Sequence, residues 1–249
     1  MIISGRMVGC VSSYSERVLS SPLASCTWEQ VTAIASEQRV VPDACVDLIW
    51  SGERLTIAGP DTRARLVALA PGARLVGVRL RPGVAGAVLG LPASELRDVA
   101  PDAADVLGPY SAEALIDSLR AGEDPHALLL SAVEHRALGL DPAVGVDPLV
   151  RAAVAALDRP HARVATVAAE LGLSARQLQR RVADAVGYGP KTLARVLRFR
   201  RLQALAPAPL VERALEAGYA DQAHMTAEVT ELAGIPPVRF LKDRTPTAA

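Results

Sequence analysis

Aromatic side chains are scarce in this 249-residue chain, with two Phe, two Trp and four Tyr. A core built without them must rest mostly on Ala, Val and Leu, and the many Ala and Arg residues suggest helices. No run of about 18 apolar residues occurs, so no membrane-spanning helix is expected. The N-terminal stretch "MIISGRMVGCVSSYSERV" lacks the apolar centre of a signal peptide, and a cytoplasmic location is expected.

Cysteine is limited to Cys10, Cys26 and Cys45. An odd number at irregular spacing argues against a disulfide framework. With no CxxC pair and no neighbouring His, ordinary reduced thiols are expected rather than a zinc site. Histidine is absent from residues 1–125 and starts at His126. A metal oxygenase of the barrel type needs His and carboxylate ligands on strands. The chain is therefore read as binding no metal or cofactor, and as not an enzyme.

Net charge is also absent, because 27 Lys and Arg balance 27 Asp and Glu. The balance is uneven along the chain. Residues 146–249 hold 15 basic and 10 acidic side chains, and residues 1–145 hold 12 and 17. Opposite signs on the two halves point to two domains, the basic one facing a polyanion.

Between Val40 and Arg81, short β-type runs alternate with Gly and Pro turns: "QRVV", "VDLIW", "RLTIA" and "ARLVGVRLR". Such runs predict antiparallel strands of a sandwich or barrel. Helical spacing follows in "VAGAVLG", "SELRDVA", "SAEALIDSLRAG" and "DPHALLLSAVEHRALG", with Asp124 capping the last. "GLDPAVGVDP" reads as a linker. The expected organisation is α+β. It comprises a β-rich domain with C-terminal helices over 1–138, a linker over 139–147, and an all-α domain over 148–245.

The second half repeats itself. "SARQLQRRVADAVGYGP" aligns with "DQAHMTAEVTELAGIPP", placing Ser174 with Asp221, Leu178 with Met225, Val182 with Val229 and Gly187 with Gly234. All are 47 residues apart. In each copy a helix ends at Gly (Gly172, Gly218), an apolar residue anchors the turn, and Ser174 or Asp221 caps a second helix. That second helix buries positions spaced i, i+4. The pattern is a helix-turn-helix, whose second helix commonly enters a major groove. "KTLARVLRFRRLQALA" predicts a helix of about 16 residues joining the copies, roughly 24 Å long.

With "SARQLQRRV", "VGYGPK", "GYADQAH" and "GIPPVRFL" in place, residues 148–244 resemble the AraC/XylS family of transcriptional regulators. The block carrying "VPDACVDLIW" and "VGVRLRPGVAGAVLGLPASEL" is similar to the cupin-like sensor domains of some members. The resemblance implies two helix-turn-helix motifs joined by a long helix, binding double-stranded promoter DNA. It also implies a small-molecule effector or homodimerisation through the first domain, and action on RNA polymerase.

The candidate DNA contacts on the first recognition helix are Ser174, Ala175, Arg176, Gln179 and Arg180. Arg pairs well with guanine and Gln with adenine, each good pair worth about 1–3 kcal/mol of discrimination. On the second helix the candidates are Gln222 and Thr226. Lys191, Arg195, Arg198 and Arg239 are candidate phosphate contacts, although some arginines of the joining helix must pair with acids of the first domain. The family often has Arg where this chain has Ala227, so the first helix is expected to supply most specificity. His224 is expected to be packed or to contact phosphate. Two alternatives stay open here: a thiol or alkylation sensor at Cys26 or Cys45, which needs an activating base or cation, and a cupin-type enzyme fused to the DNA-binding domain.

Overall fold

The computed structural model describes residues 2–3, 13–138 and 146–242. Cys10, most of the expected linker (139–145) and the expected domain end (243–245) lie outside the described residues. The chain is α+β: an antiparallel β region followed by helices.

Among the described residues, eight strands form two sheets: β1 (Ile2–Ile3), β2 (Ser13–Val18), β3 (Ala24–Val31), β4 (Ser36–Val40), β5 (Val46–Trp50), β6 (Leu55–Ala58), β7 (Arg65–Leu69) and β8 (Arg74–Leu80). The larger sheet runs β2-β3-β8-β5-β6 and the smaller β1-β4-β7, with every pair antiparallel. One face of the larger sheet is apolar. Val46, Leu48, Ile57, Val78 and Leu80 pack there against Val88, Leu129 and Val133 of the following helices. Those helices are α1 (Ala85–Leu89), α2 (Ala103–Leu107), α3 (Pro109–Arg120) and α4 (Pro125–Leu138), with a 3-10 turn at Ala93–Leu96.

The opposite face is polar and meets the smaller sheet. Gln30 of β3 donates to Gln38 of β4 across 2.5 Å, and both are buried. On the same face Arg79 pairs with Asp47, Glu16 and Asp43 at 3.2–3.5 Å. Burial opposes the Arg79 charge, but Asp47 and Asp43 outweigh it and raise its pKa. Strand β3 is hidden from hydropathy because buried polar side chains stand on both of its faces, Thr27 toward the helices and Gln30 toward the smaller sheet. "SELRDVA" differs from the expected helix. It makes only the 3-10 turn because Asp98 adopts φ 60°, its carboxylate accepting from Thr62 N and Oγ1 at 2.6 and 2.9 Å.

The helical half comprises α5 (Pro148–Leu157), α6 (Val164–Glu170), α7 (Ala175–Val186), α8 (Pro190–Ala204), α9 (Leu210–Ala217), α10 (Gln222–Ala233) and α11 (Pro237–Lys242). Asp147 caps α5 through Leu149 N. Leu178, Val182, Leu193, Phe199, Met225, Val229 and Phe240 are central to its core, which also takes in Val41 and Ala44 from the first half. Among the described residues, no helix is long and apolar enough to cross a membrane.

Candidate nucleic-acid interface

The repeat seen in the sequence is a repeat in space. Helices α7 and α10 are each 12 residues long and start 47 residues apart. Ser174 opens α7 with a reciprocal capping box to Gln177. Asp221 opens α10 by accepting from His224 N at 2.7 Å. Each cap satisfies a backbone donor that the helix leaves unpaired and fixes the entry of the chain. Left-handed Gly187 and Gly234 close the two helices. Leu178, Val182 and Val186 of α7, and Met225, Val229 and Leu232 of α10, are buried, so the other faces of each helix point outward.

On α7, Ser174, Ala175, Arg176, Gln179 and Arg180 are all exposed. The Gln179 amide lies over Gly189 at the start of α8, where a Cβ would approach to 2.3 Å. On α10, Gln222 is exposed and Thr226 is half-buried, its hydroxyl donating to the Gln222 carbonyl at 2.8 Å. A threonine hydroxyl bonded back to its own helix retains only its lone pairs for a further partner. Lys191 and Arg239 are exposed.

Arg195 and Arg198 stand elsewhere than on a free flank. Arg198 forks onto Glu228 at 2.8 and 3.0 Å, and Arg195 reaches Glu228 at 3.2 Å and Glu231 at 2.6 Å. Glu228, on α10, is 6% exposed, and the bonds tie the second recognition helix to α8. The Arg198 guanidinium also lies 4.9 Å from the centroid of the Tyr219 ring. A carboxylate in this position is what sequence reasoning missed. Its signal was Glu228 on the inward side of α10, where an acid needs a cationic partner.

His224 packs edge-on to Tyr219, accepts from Ala220 N through Nδ1 at 3.3 Å, and aims Nε2 at Glu228 from 3.6 Å. A groove of about 450 Å³ runs between α8 and α10, lined by Lys191, Arg195, Arg198, His224 and Ala227 among others.

Other arginines of the basic half serve helix ends. Arg201 donates to the Ala217 carbonyl at 2.7 Å, and buried Arg213 to the Leu202 carbonyl at 3.0 Å. Arg200 lies between groups of both halves: burial works against its charge, but Cys45 and Asp43 of the first half and Asp158 of the second raise its pKa. The exposed cations that remain on or beside the recognition helices include Arg176, Arg180, Lys191 and Arg239.

Cys26 and Cys45 lack the activation a nucleophile needs. Burial, reinforced by the Asp43 charge, pushes the Cys45 thiol up to about 12, and burial raises that of Cys26 despite Arg79. A reactive thiol requires the opposite shift.

Residues 19–102 match a domain family of unknown function, and residues 167–243 match a helix-turn-helix domain family. No curated protein gives a match. Among solved structures, the chain is similar to the C-terminal domain of AraT, a response regulator from Geobacillus stearothermophilus. The identity is 21%, the TM-score 0.38, and the match covers 41% of this chain and 89% of that one. It is also similar to unsaturated fatty acid-bound wild-type ToxT from Vibrio cholerae. There the identity is 10%, the TM-score 0.47, and the coverage 98% of this chain and 100% of that one.

Proposed function

We propose that this chain, which carries an AraC-type helix-turn-helix domain at its C-terminal end, is a transcription regulator that reads two successive major grooves of promoter DNA with α7 and α10. The observation that carries the proposal is the paired construction of those helices. Each is capped by the residue just before it, buried along one stripe, and exposed along the other. An α-helix fits the major groove with its N-terminal residues against base edges. Arg176, Gln179 and Arg180 are the base-reading set of α7, with Ser174 and Ala175 at its tip, and Gln222 and Thr226 are the smaller set of α10. Lys191 and Arg239 contact phosphates. Arg195 and Arg198 act one step back, holding α10 in place through Glu228.

The first half tunes this activity. Trp28 Nε1, Gln30 Oε1 and Gln38 Nε2 are buried between the sheets without hydrogen-bond partners among the described residues. Buried polar atoms of that kind are costly unless a partner arrives. They suit a small polar effector carrying both donors and acceptors, and quenching of Trp fluorescence on titration identifies candidates. The chain then acts on RNA polymerase from its promoter site, alone or as a homodimer.

Fluorescence anisotropy of labelled duplexes, measured at increasing salt, tests the DNA reading. Each neutralised phosphate contributes about −0.9 to the slope of log K against log salt. Lys191→Ala is expected to flatten the slope by about one contact's worth without changing base preference. An affinity that ignores salt rules out the proposal.

A further inference from the structure

Both recognition helices end against the same short piece of the first half. At α10, Ala64 N donates to the Leu232 carbonyl at 2.7 Å, and Arg39 Nη1 donates to the Ala233 carbonyl at 2.9 Å. These carbonyls belong to the last turn, which an α-helix leaves without internal partners and which carries the negative end of its dipole. A guanidinium is the favoured group there. At α7, the C-terminal Gly187 lies so close to Pro60 and Ala93 that a Cβ would come within 2.4 Å of Pro60 Cγ and 3.0 Å of the Ala93 carbonyl.

Pro60 and Ala64 are the ends of one five-residue segment, "PDTRA". Fully extended it spans at most about 17 Å, and it is pinned along its length. Thr62 bonds to the Asp98 carboxylate through N and Oγ1, the Asp98 N–H returns to the Pro60 carbonyl at 3.3 Å, and buried Asp61 pairs with Arg65 at 3.2 Å. Arg39 stands on β4 beside this segment, paired in register with Leu66 of β7. The first half thus presents a rigid bracket to the C-terminal ends of α7 and α10 together.

We infer that Arg39 and the Pro60–Ala64 segment are positioning residues for DNA reading. They fix the pose of α10 relative to α7, so the separation accepted between two DNA half-sites is set by the first domain as well as by α8. The inference rests on the two-groove reading above. It adds a route by which a change in the β domain reaches both recognition helices at once. It also places a specificity determinant outside the helix-turn-helix domain.

The test uses full-length protein with Arg39→Ala, the conservative Arg39→Lys, and Thr62→Val, which removes the Oγ1 bond to Asp98 while keeping the backbone N–H bond and the side-chain shape. Two measurements are made. Hydrogen exchange without DNA follows the last turn of α10. Affinity is then measured across duplexes in which the two selected half-sites are moved apart one base pair at a time. Arg39→Ala is expected to speed exchange at that turn by about tenfold, the factor equivalent to 1.4 kcal/mol. It should also flatten the dependence on separation while leaving the sequence preferred by α7 intact. Arg39→Lys should restore much of both, because it keeps a cation at the helix end, and Thr62→Val should flatten the separation profile without touching Arg39. Faster exchange with an unchanged separation profile would make Arg39 a structural cap alone and overturn the inference, as would no change in either measurement. If the parent protein selects no DNA at all, the two-groove reading fails. In that case unchanged exchange in Arg39→Ala still overturns the bracket, and faster exchange leaves it standing without a role in DNA reading.

Discussion

Arginine is the residue on which this molecule turns, and seven of its copies show three separate destinations. Arg176 and Arg180 reach solvent from α7, Arg195 and Arg198 converge on Glu228, and Arg39, Arg201 and Arg213 donate to carbonyls at helix ends. Glu228→Gln is therefore expected to destabilise the fold, since it takes the carboxylate partner from Arg198, 20% exposed, and leaves Arg195, 26% exposed, with Glu231. Removing one partner of a fully buried pair costs about 3–5 kcal/mol. Partial solvent access reduces that here to about 2 kcal/mol, or roughly 4–8 °C of melting temperature for a chain of this size. Arg176→Ala is expected to leave melting unchanged and to relax base preference at one position. A Glu228→Gln melt indistinguishable from the parent would show that the cluster contributes nothing. The cysteines give a second prediction at this scale. With Cys45 raised to about 12 and Cys26 buried, iodoacetamide at pH 8 should label either thiol in the native protein far more slowly than after unfolding. Rapid native labelling would restore the thiol-sensor alternative. The outward arginines were legible from spacing alone, because α7 has a regular apolar stripe. The destinations of Arg195, Arg198 and Arg39 were not, because each partner is a carboxylate or carbonyl brought near only by tertiary packing.

Among the elements, the helix-turn-helix pairs were open to sequence reading and the sheets were only partly so. Helices α7 and α10 carry local signals: a cap, two buried positions four residues apart, and a closing glycine. Strands β5, β6 and β8 alternate apolar residues toward the helices and could be read the same way. Strand β3 could not, because its second face holds Trp28 and Gln30 opposite Gln38 of the other sheet. A strand with polar groups on a buried face loses the alternation that identifies strands. Two glycines separate local from tertiary effects. Gly172 has φ 65°, and among the described residues nothing lies within 4 Å of where an alanine methyl would stand. Gly187 has φ 99° and touches Pro60 and Ala93. Gly172→Ala should cost about 1–2 kcal/mol, the penalty of a left-handed non-glycine residue. Gly187→Ala should cost more, because the same penalty is joined by a clash with the first domain. Equal denaturation midpoints for the two variants would show that the seam at Pro60 yields freely.

For the whole molecule, the zero net charge conceals an acidic half joined to a basic one. The join is physical as well as electrostatic: Val41 and Ala44 enter the core of the helical half, and Asp43 acts on Arg200. The charge asymmetry pointed to a polyanion, but it overstated the free positive surface, since many basic side chains are engaged within the fold. Sequence-selective affinity must then come from the few cations that remain and from the exposed edges of α7 and α10. The most direct measurement is selection of duplexes from random DNA by the full-length protein, repeated with Arg176→Ala and Gln222→Ala. The expected result is a two-part motif whose halves are centred about one helical turn apart, about 10 base pairs. Arg176→Ala should blur a position in one half only, and Gln222→Ala should more weakly blur the other. A single undivided motif, or no enrichment at all, would contradict reading by two helices.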